Sequence, residues 1–160
     1  MTTHTISMLV ENHAGALSRI AGLFSSRGYN IGSLTVAATE DQTVSRMTIV
    51  VAGDEDVLEQ VVKQLNRLVD VIKVIDFKDV PIVNRELLLV RIDASKSNRH
   101  EIISLVEVFG AKIAAVSPTA ITLELSGDTQ TIDDFVALVK PYGIKELARS
   151  GSIAIARTNR

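Results

Sequence analysis

One order of elements occurs twice in this chain, and that repetition limits the folds open to it more than any other feature. Over Thr5–Val10, Ile6, Met8 and Val10 alternate with Thr5 and Ser7, the period of a strand. A turn-like stretch, Glu11-Asn12-His13-Ala14-Gly15, follows, with Asn12 a candidate helix cap. Leu17, Ile20, Ala21 and Phe24 then recur on one helix face, and Gly28 stands where a left-handed helix stop is wanted. Strands are predicted over Ile31–Thr39 and Thr43–Ala52, joined by the turn Glu40-Asp41-Gln42. A second helix opens at Gly53-Asp54, carries Leu58, Val61, Val62, Leu65 and Val69, and leads to a strand over Val71–Phe77.

The same order returns after residue 86. Leu87–Asp93 reads as a strand, and Ile102, Leu105, Val106 and Phe109 as a helix stopped by Gly110. Strands are predicted over Ala111–Val116 and Ala120–Ser126. Gly127-Asp128 opens a helix bearing Ile132, Phe135, Val136 and Val139, which Pro141 ends. Tyr142–Ala148 and Ser152–Ala156 are the last strand candidates. Gly28 and Gly110 lie 82 residues apart but Asp54 and Asp128 only 74, so these are two similarly built units and not a tandem array. The fold class is α+β, two ferredoxin-like βαββαβ domains. The boundaries expected are 1–79, a linker at 80–86 containing Pro81, and 87–160. Each sheet is expected to have helices on one face and the other face free for a partner.

Composition narrows the function. The 160 residues hold no cysteine, which removes disulfides, thiolate metal sites and thiol nucleophiles. Seventeen basic against 19 acidic residues argue against a nucleic-acid binder. No apolar run reaches the roughly 18 residues of a spanning helix, and Met1-Thr2-Thr3-His4 does not open like a secretory signal. The expectation is a cytoplasmic protein, with no membrane partner. His4, His13 and His100 share no metal-ligand spacing, and no G-x-S-x-G, P-loop or G-x-G-x-x-G motif occurs. The acids Glu40, Asp41, Asp54, Glu55 and Asp56 fall at a turn and a helix start, where solvated capping explains them.

The stretch Asn12–Leu17 stands apart. A strand ends, a glycine lets the chain turn, and a helix begins whose first amides lack intrahelical partners. Such a helix start suits a small carboxylate, for instance that of an amino acid. The residues alone favour the plainer reading, in which Gly15 merely permits the turn and Asn12 merely caps the helix, because such loops are common.

Glu11-Asn12-His13-Ala14-Gly15-Ala16-Leu17-Ser18-Arg19-Ile20 resembles the ligand loop of an ACT domain, an amino-acid-sensing module. The continuation Gly22–Ile31, with Ser33-Leu34-Thr35-Val36-Ala37 and Ser45-Arg46-Met47-Thr48-Ile49, closely resembles the regulatory small subunits of acetolactate synthase. Leu58-Glu59-Gln60, Gln64-Leu65 and Leu68-Val69-Asp70-Val71 extend the resemblance, as do Arg85-Glu86-Leu87 and Ala148-Arg149-Ser150-Gly151 in the second half. The ending Arg157-Thr158-Asn159-Arg160 departs slightly from the Arg-Gly ending common among relatives.

The resemblance implies a first domain of ACT type and a chain that does no chemistry itself. It implies a large catalytic partner carrying thiamine diphosphate, a divalent metal and FAD, with no cofactor or metal in this chain. That partner condenses two pyruvates to acetolactate and CO2, the first common step of branched-chain amino acid biosynthesis. The small subunit would raise its activity and confer feedback inhibition by valine or another branched-chain amino acid. By position, the effector site would use Asn12, His13, Ala14, Gly15, Ala16 and Leu17, with Asn30 and Ile31 from the neighbouring protomer of a homodimer. The alternative is a stand-alone ACT-type amino-acid-binding regulator.

Overall fold

A computed structural model describes residues 2–158; the departing residues Asn159 and Arg160, like Met1, lie outside the described residues. The chain forms two compact units.

In the first, β1 (Thr3–Glu11), α1 (Ala16–Arg27), β2 (Asn30–Ala38), β3 (Val44–Ala52), α2 (Glu55–Asn66) and β4 (Val71–Asp76) give the expected order. The sheet is antiparallel, β2-β3-β1-β4. Glycine and aspartate set the helix ends. Gly28 takes the left-handed conformation and its amide closes on the last carbonyls of α1, while the Asp54 carboxylate accepts from the Val57 amide to start α2. Ile6, Met8 and Val10 of β1 and Met47, Ile49 and Val51 of β3 bury one sheet face against Ile20 and Phe24 of α1 and Leu58, Val61 and Leu65 of α2. The buried row of α1 is Ala16, Ile20 and Phe24, one residue before the predicted row began, so Leu17 is 45% exposed.

The other face of this sheet is not free. Ser7 and Thr48, which pair across β1 and β3, are buried, and the Thr35 hydroxyl donates to the Ser152 carbonyl at 2.8 Å. Residues 152–158 cluster with this unit and not with the residues just before them. β9 (Ile153–Ala156) lies in this unit, as do the first two residues of β5 (Ile82–Asp93), and the Arg157 amide donates to the Pro81 carbonyl at 2.8 Å. Residues 82–86, expected as linker, are strand, the opening residues of β5.

The second unit spans Asn84–Gly151. It adds α3 (Arg99–Phe109), β6 (Lys112–Val116), β7 (Ala120–Gly127), α4 (Thr129–Val139) and β8 (Ile144–Arg149), with sheet order β6-β7-β5-β8. Leu88, Val90 and Ile92 of β5 meet Ile102, Ile132, Phe135 and Val139 in its core. Two family-like motifs converge here. The buried Glu86 carboxylate accepts from Arg149 Nε at 2.7 Å and from the Thr129 hydroxyl at 3.2 Å, and Arg149 also reaches Asp133 at 2.7 Å. Leu87 and Ser150 bond reciprocally beside them.

Candidate functional site

The stretch between β1 and α1 is held from three directions. On one side the Asn12 amide donates to the Thr43 carbonyl and the Asn12 side chain donates to the Gln42 carbonyl, both at 2.8 Å. Asn12 therefore ties the loop to the β2–β3 turn and does not cap α1. The cap position belongs to Gly15, left-handed at φ 92° and with no side chain to offer. Ala16 is buried, its amide reaching the His13 carbonyl at 3.3 Å, and the Arg19 amide reaches the Gly15 carbonyl at 2.9 Å. Among the described residues, the amides of Leu17 and Ser18 have no partner. Leu17 and Ser18 are both exposed residues, and their amides lie at the positive end of α1.

The second and third holds come from charges. Asp70, just before β4, has a side chain 2% exposed, and its backbone carbonyl accepts from the Glu11 amide at 2.8 Å. Its carboxylate takes Arg19 Nε on one oxygen and Arg19 Nη2 at 3.1 Å on the other, a side-on pair. His13 Nε2 adds a 2.8 Å contact to the same carboxylate and a 3.1 Å contact to Glu11. His13 Nδ1 faces the Ala14 carbonyl at 3.0 Å. Both ring nitrogens thus face oxygen acceptors, an arrangement only the doubly protonated imidazolium satisfies. The Ala14 carbonyl first, then Glu11 and Asp70, hold the His13 pKa above its ordinary 6.5. Hydrogen bonds from Arg19 foremost hold the Asp70 carboxyl below its ordinary 3.8.

Glu11, His13 and Asp70 bring one potential metal-ligand atom each to within 4.8 Å of one another. A metal about 2.0–2.2 Å from each donor would set neighbouring donors about 3 Å apart or more. The 2.8 Å between His13 and Asp70 is a hydrogen-bond distance, and Arg19 already occupies the carboxylate. The three form a hydrogen-bonded ion cluster.

Six of the eight residues named from the sequence, Asn12 to Leu17, are brought together. Asn30 and Ile31 are not. In register, Glu11 lies opposite Val44 while Asn30 lies opposite Ala52, whose other neighbour is Thr3. Within one chain they sit at the other end of the sheet, roughly 25 Å away at about 3.3 Å per residue. Sequence reasoning gave no role to Asp70 or Arg19. Both stood in the family-like motifs, but their pairing joins positions 51 residues apart.

Residues 6–73 match the family described as AHAS small subunit-like ACT domain, and residues 85–158 match that described as small subunit of acetolactate synthase. A protein of Methanothermobacter thermautotrophicus named "Probable acetolactate synthase small subunit" is 50% identical over 159 residues, covering 99% of this chain and 95% of its own. The acetolactate synthase small subunit of Aquifex aeolicus is 47% identical, covering 96% of this chain and 81% of its own. The crystal structure of the Thermotoga maritima acetolactate synthase small subunit superposes with a TM-score of 0.90 at 36% identity, covering all of both chains.

Proposed function

This chain belongs to the acetolactate synthase small-subunit family, and from that premise we propose that it is a non-catalytic regulatory subunit. It activates a large subunit that condenses two pyruvates to acetolactate, and it makes that enzyme sensitive to valine. Thiamine diphosphate, the divalent metal and FAD belong to the large subunit. The cytoplasm is the proposed location; among the described residues no helix is long and apolar enough to cross a membrane.

The observation that carries the effector reading is the pair of unpartnered Leu17 and Ser18 amides above a left-handed Gly15. An amino-acid carboxylate placed there would take both amides and the favourable end of the helix dipole. The exposed Leu17 side chain offers an aliphatic surface for a branched side chain. Asn30 and Ile31, far from the loop in their own chain, would complete the site from a second copy in a homodimer. Inhibition follows when valine binds one arrangement of the complex more tightly than another, with typical couplings of about 1–3 kcal/mol.

The test is reconstitution. Mixed with its cognate large subunit, the chain raises the rate of acetolactate formation, and valine lowers it again. Alone it forms none. A chain that binds valine but never co-purifies with a thiamine-dependent partner would instead be a stand-alone sensor.

A further inference from the structure

We infer that Asp70 is a positioning residue of the effector loop, holding it open for a ligand through Arg19 on one side and His13 on the other. This rests on the effector reading above and adds to it a residue that contacts no ligand. Four links converge on Asp70. Its carbonyl fixes the end of β1 at the Glu11 amide, its two carboxylate oxygens fix Arg19 in α1, and one of them also fixes His13 in the loop. A carboxylate this buried needs its charge answered, and Arg19 and His13 are the cations that answer it.

The consequence falls on the loop. Arg19 Nη1, free of partners among the described residues, lies 3.3 Å from where a Gly15 Cβ would stand. Without Asp70 the guanidinium is released to swing across Gly15 and over the Leu17 and Ser18 amides. The charged groups facing His13 are Glu11 at the end of β1 and Asp70 before β4, with Arg19 of α1 sharing Asp70. The open loop therefore also depends on the His13 charge: the imidazolium donates to the acceptors at both ring nitrogens, the neutral ring to those at only one.

The experiment is calorimetry of the full-length chain with L-valine, L-leucine and L-isoleucine across the His13 titration, alongside Asp70→Asn, Arg19→Lys and His13→Gln. Asp70→Asn keeps the shape and removes the charge. It should weaken binding of the preferred amino acid about tenfold or more and abolish the fall in affinity as pH rises. Arg19→Lys should lie between it and the wild type, because lysine restores charge but not the side-on pair. An Asp70→Asn chain that folds normally by circular dichroism and keeps wild-type affinity and pH profile overturns the inference. If Asp70→Asn does not fold, wild-type affinity and pH profile in both Arg19→Lys and His13→Gln overturn it equally. A wild-type chain that binds none of the three amino acids removes the effector reading itself, and the positioning role with it.

Discussion

The Arg19 guanidinium meets the Asp70 carboxylate side-on, Nε on one oxygen and Nη2 at 3.1 Å on the other, across 51 residues of chain. That pair joins the helix after the loop to the corner before β4. It makes the loop a braced segment and not a simple strand-to-helix connection. Gly15 lies beneath the same guanidinium, which ties the behaviour of substitutions there to Arg19.

Gly15→Asp should strongly reduce valine sensitivity. At φ 92° an L-residue is strained by about 1–2 kcal/mol, less for Asp than for most. The new side chain starts 3.3 Å from Arg19 Nη1, so its carboxylate competes with Asp70 for the guanidinium and repels the incoming anion. Gly15→Ala adds the strain without the charge. Acetolactate formation against valine concentration, with saturating large subunit, separates the two. Equal responses from both variants would make strain the cause, and an unchanged response in Gly15→Asp would remove the loop from the effector site.

His13 gives the first unit a pH dependence with a definite sign. Its pKa is raised in the folded chain above the ordinary 6.5. Its stabilising contribution is thus complete below 6.5 and lost as pH rises through the raised value. Asp70 acts in the opposite sense. Its depressed pKa makes a contribution that is complete above 3.8 and lost as pH falls through the lowered value. Urea midpoints from about pH 5 to about pH 8 isolate the histidine. The midpoint should decline across that range in the wild type, and His13→Gln should flatten the decline. A profile that the substitution leaves unaltered contradicts the imidazolium assignment.

Most helix ends were legible in the sequence because they are local chemistry, but α2 stops at Asn66 and leaves Val69, expected on its apolar row, 85% exposed. Gly28 and Gly110 stop α1 and α3 in the left-handed conformation, and Asp54 and Asp128 cap α2 and α4 from three residues away. The loop was legible as a segment, but its fastening was not. Asn12 has the chemistry of a cap, yet it spends its side chain on Gln42, a partner 30 residues distant. The covered sheet face was hidden for the same reason. Nothing near Ser152 signals that its carbonyl accepts from Thr35, 117 residues earlier. Ser7 and Thr48, polar and on the face away from the helices, read as part of a face left free for a partner, and only tertiary packing buries them.

In the second unit, Glu86 and Arg149 explain why two distant motifs accompany one another. The Glu86 side chain is 4% exposed and Arg149 31%. Arg149→Met removes the cation and leaves a buried carboxylate with only the Thr129 hydroxyl. The expected loss is about 3 kcal/mol, the low end for a broken buried pair because Arg149 is partly solvated. Glu86→Gln combined with Arg149→Met leaves no orphan charge and should cost less than Arg149→Met alone. Chemical denaturation of Arg149→Met, Glu86→Gln and the double variant measures the coupling. A double variant that loses the full sum of the single effects shows that the pair does not act as one.

The separation of Asn30 from the loop within one chain sets the sharpest test of a two-chain site. If the loop of one copy faces Asn30 of the other, a symmetric dimer carries two equivalent sites, each with one contribution per copy. Gly15→Asp and Asn30→Ala should each impair both sites when present in every chain. Mixing the two variants after unfolding and refolding together forms hybrid dimers. In a hybrid, one site carries both lesions and the other carries neither. Random pairing then makes half the dimers hybrid and restores roughly a quarter of all sites. Valine titration of the mixture by calorimetry should recover that fraction of wild-type binding, with sedimentation establishing the dimer. A site built within one chain predicts the opposite result. Asn30, roughly 25 Å from the loop of its own chain at about 3.3 Å per residue, would then lie outside the site, so Asn30→Ala alone would keep wild-type binding and the mixture would show only the share its Asn30→Ala chains contribute.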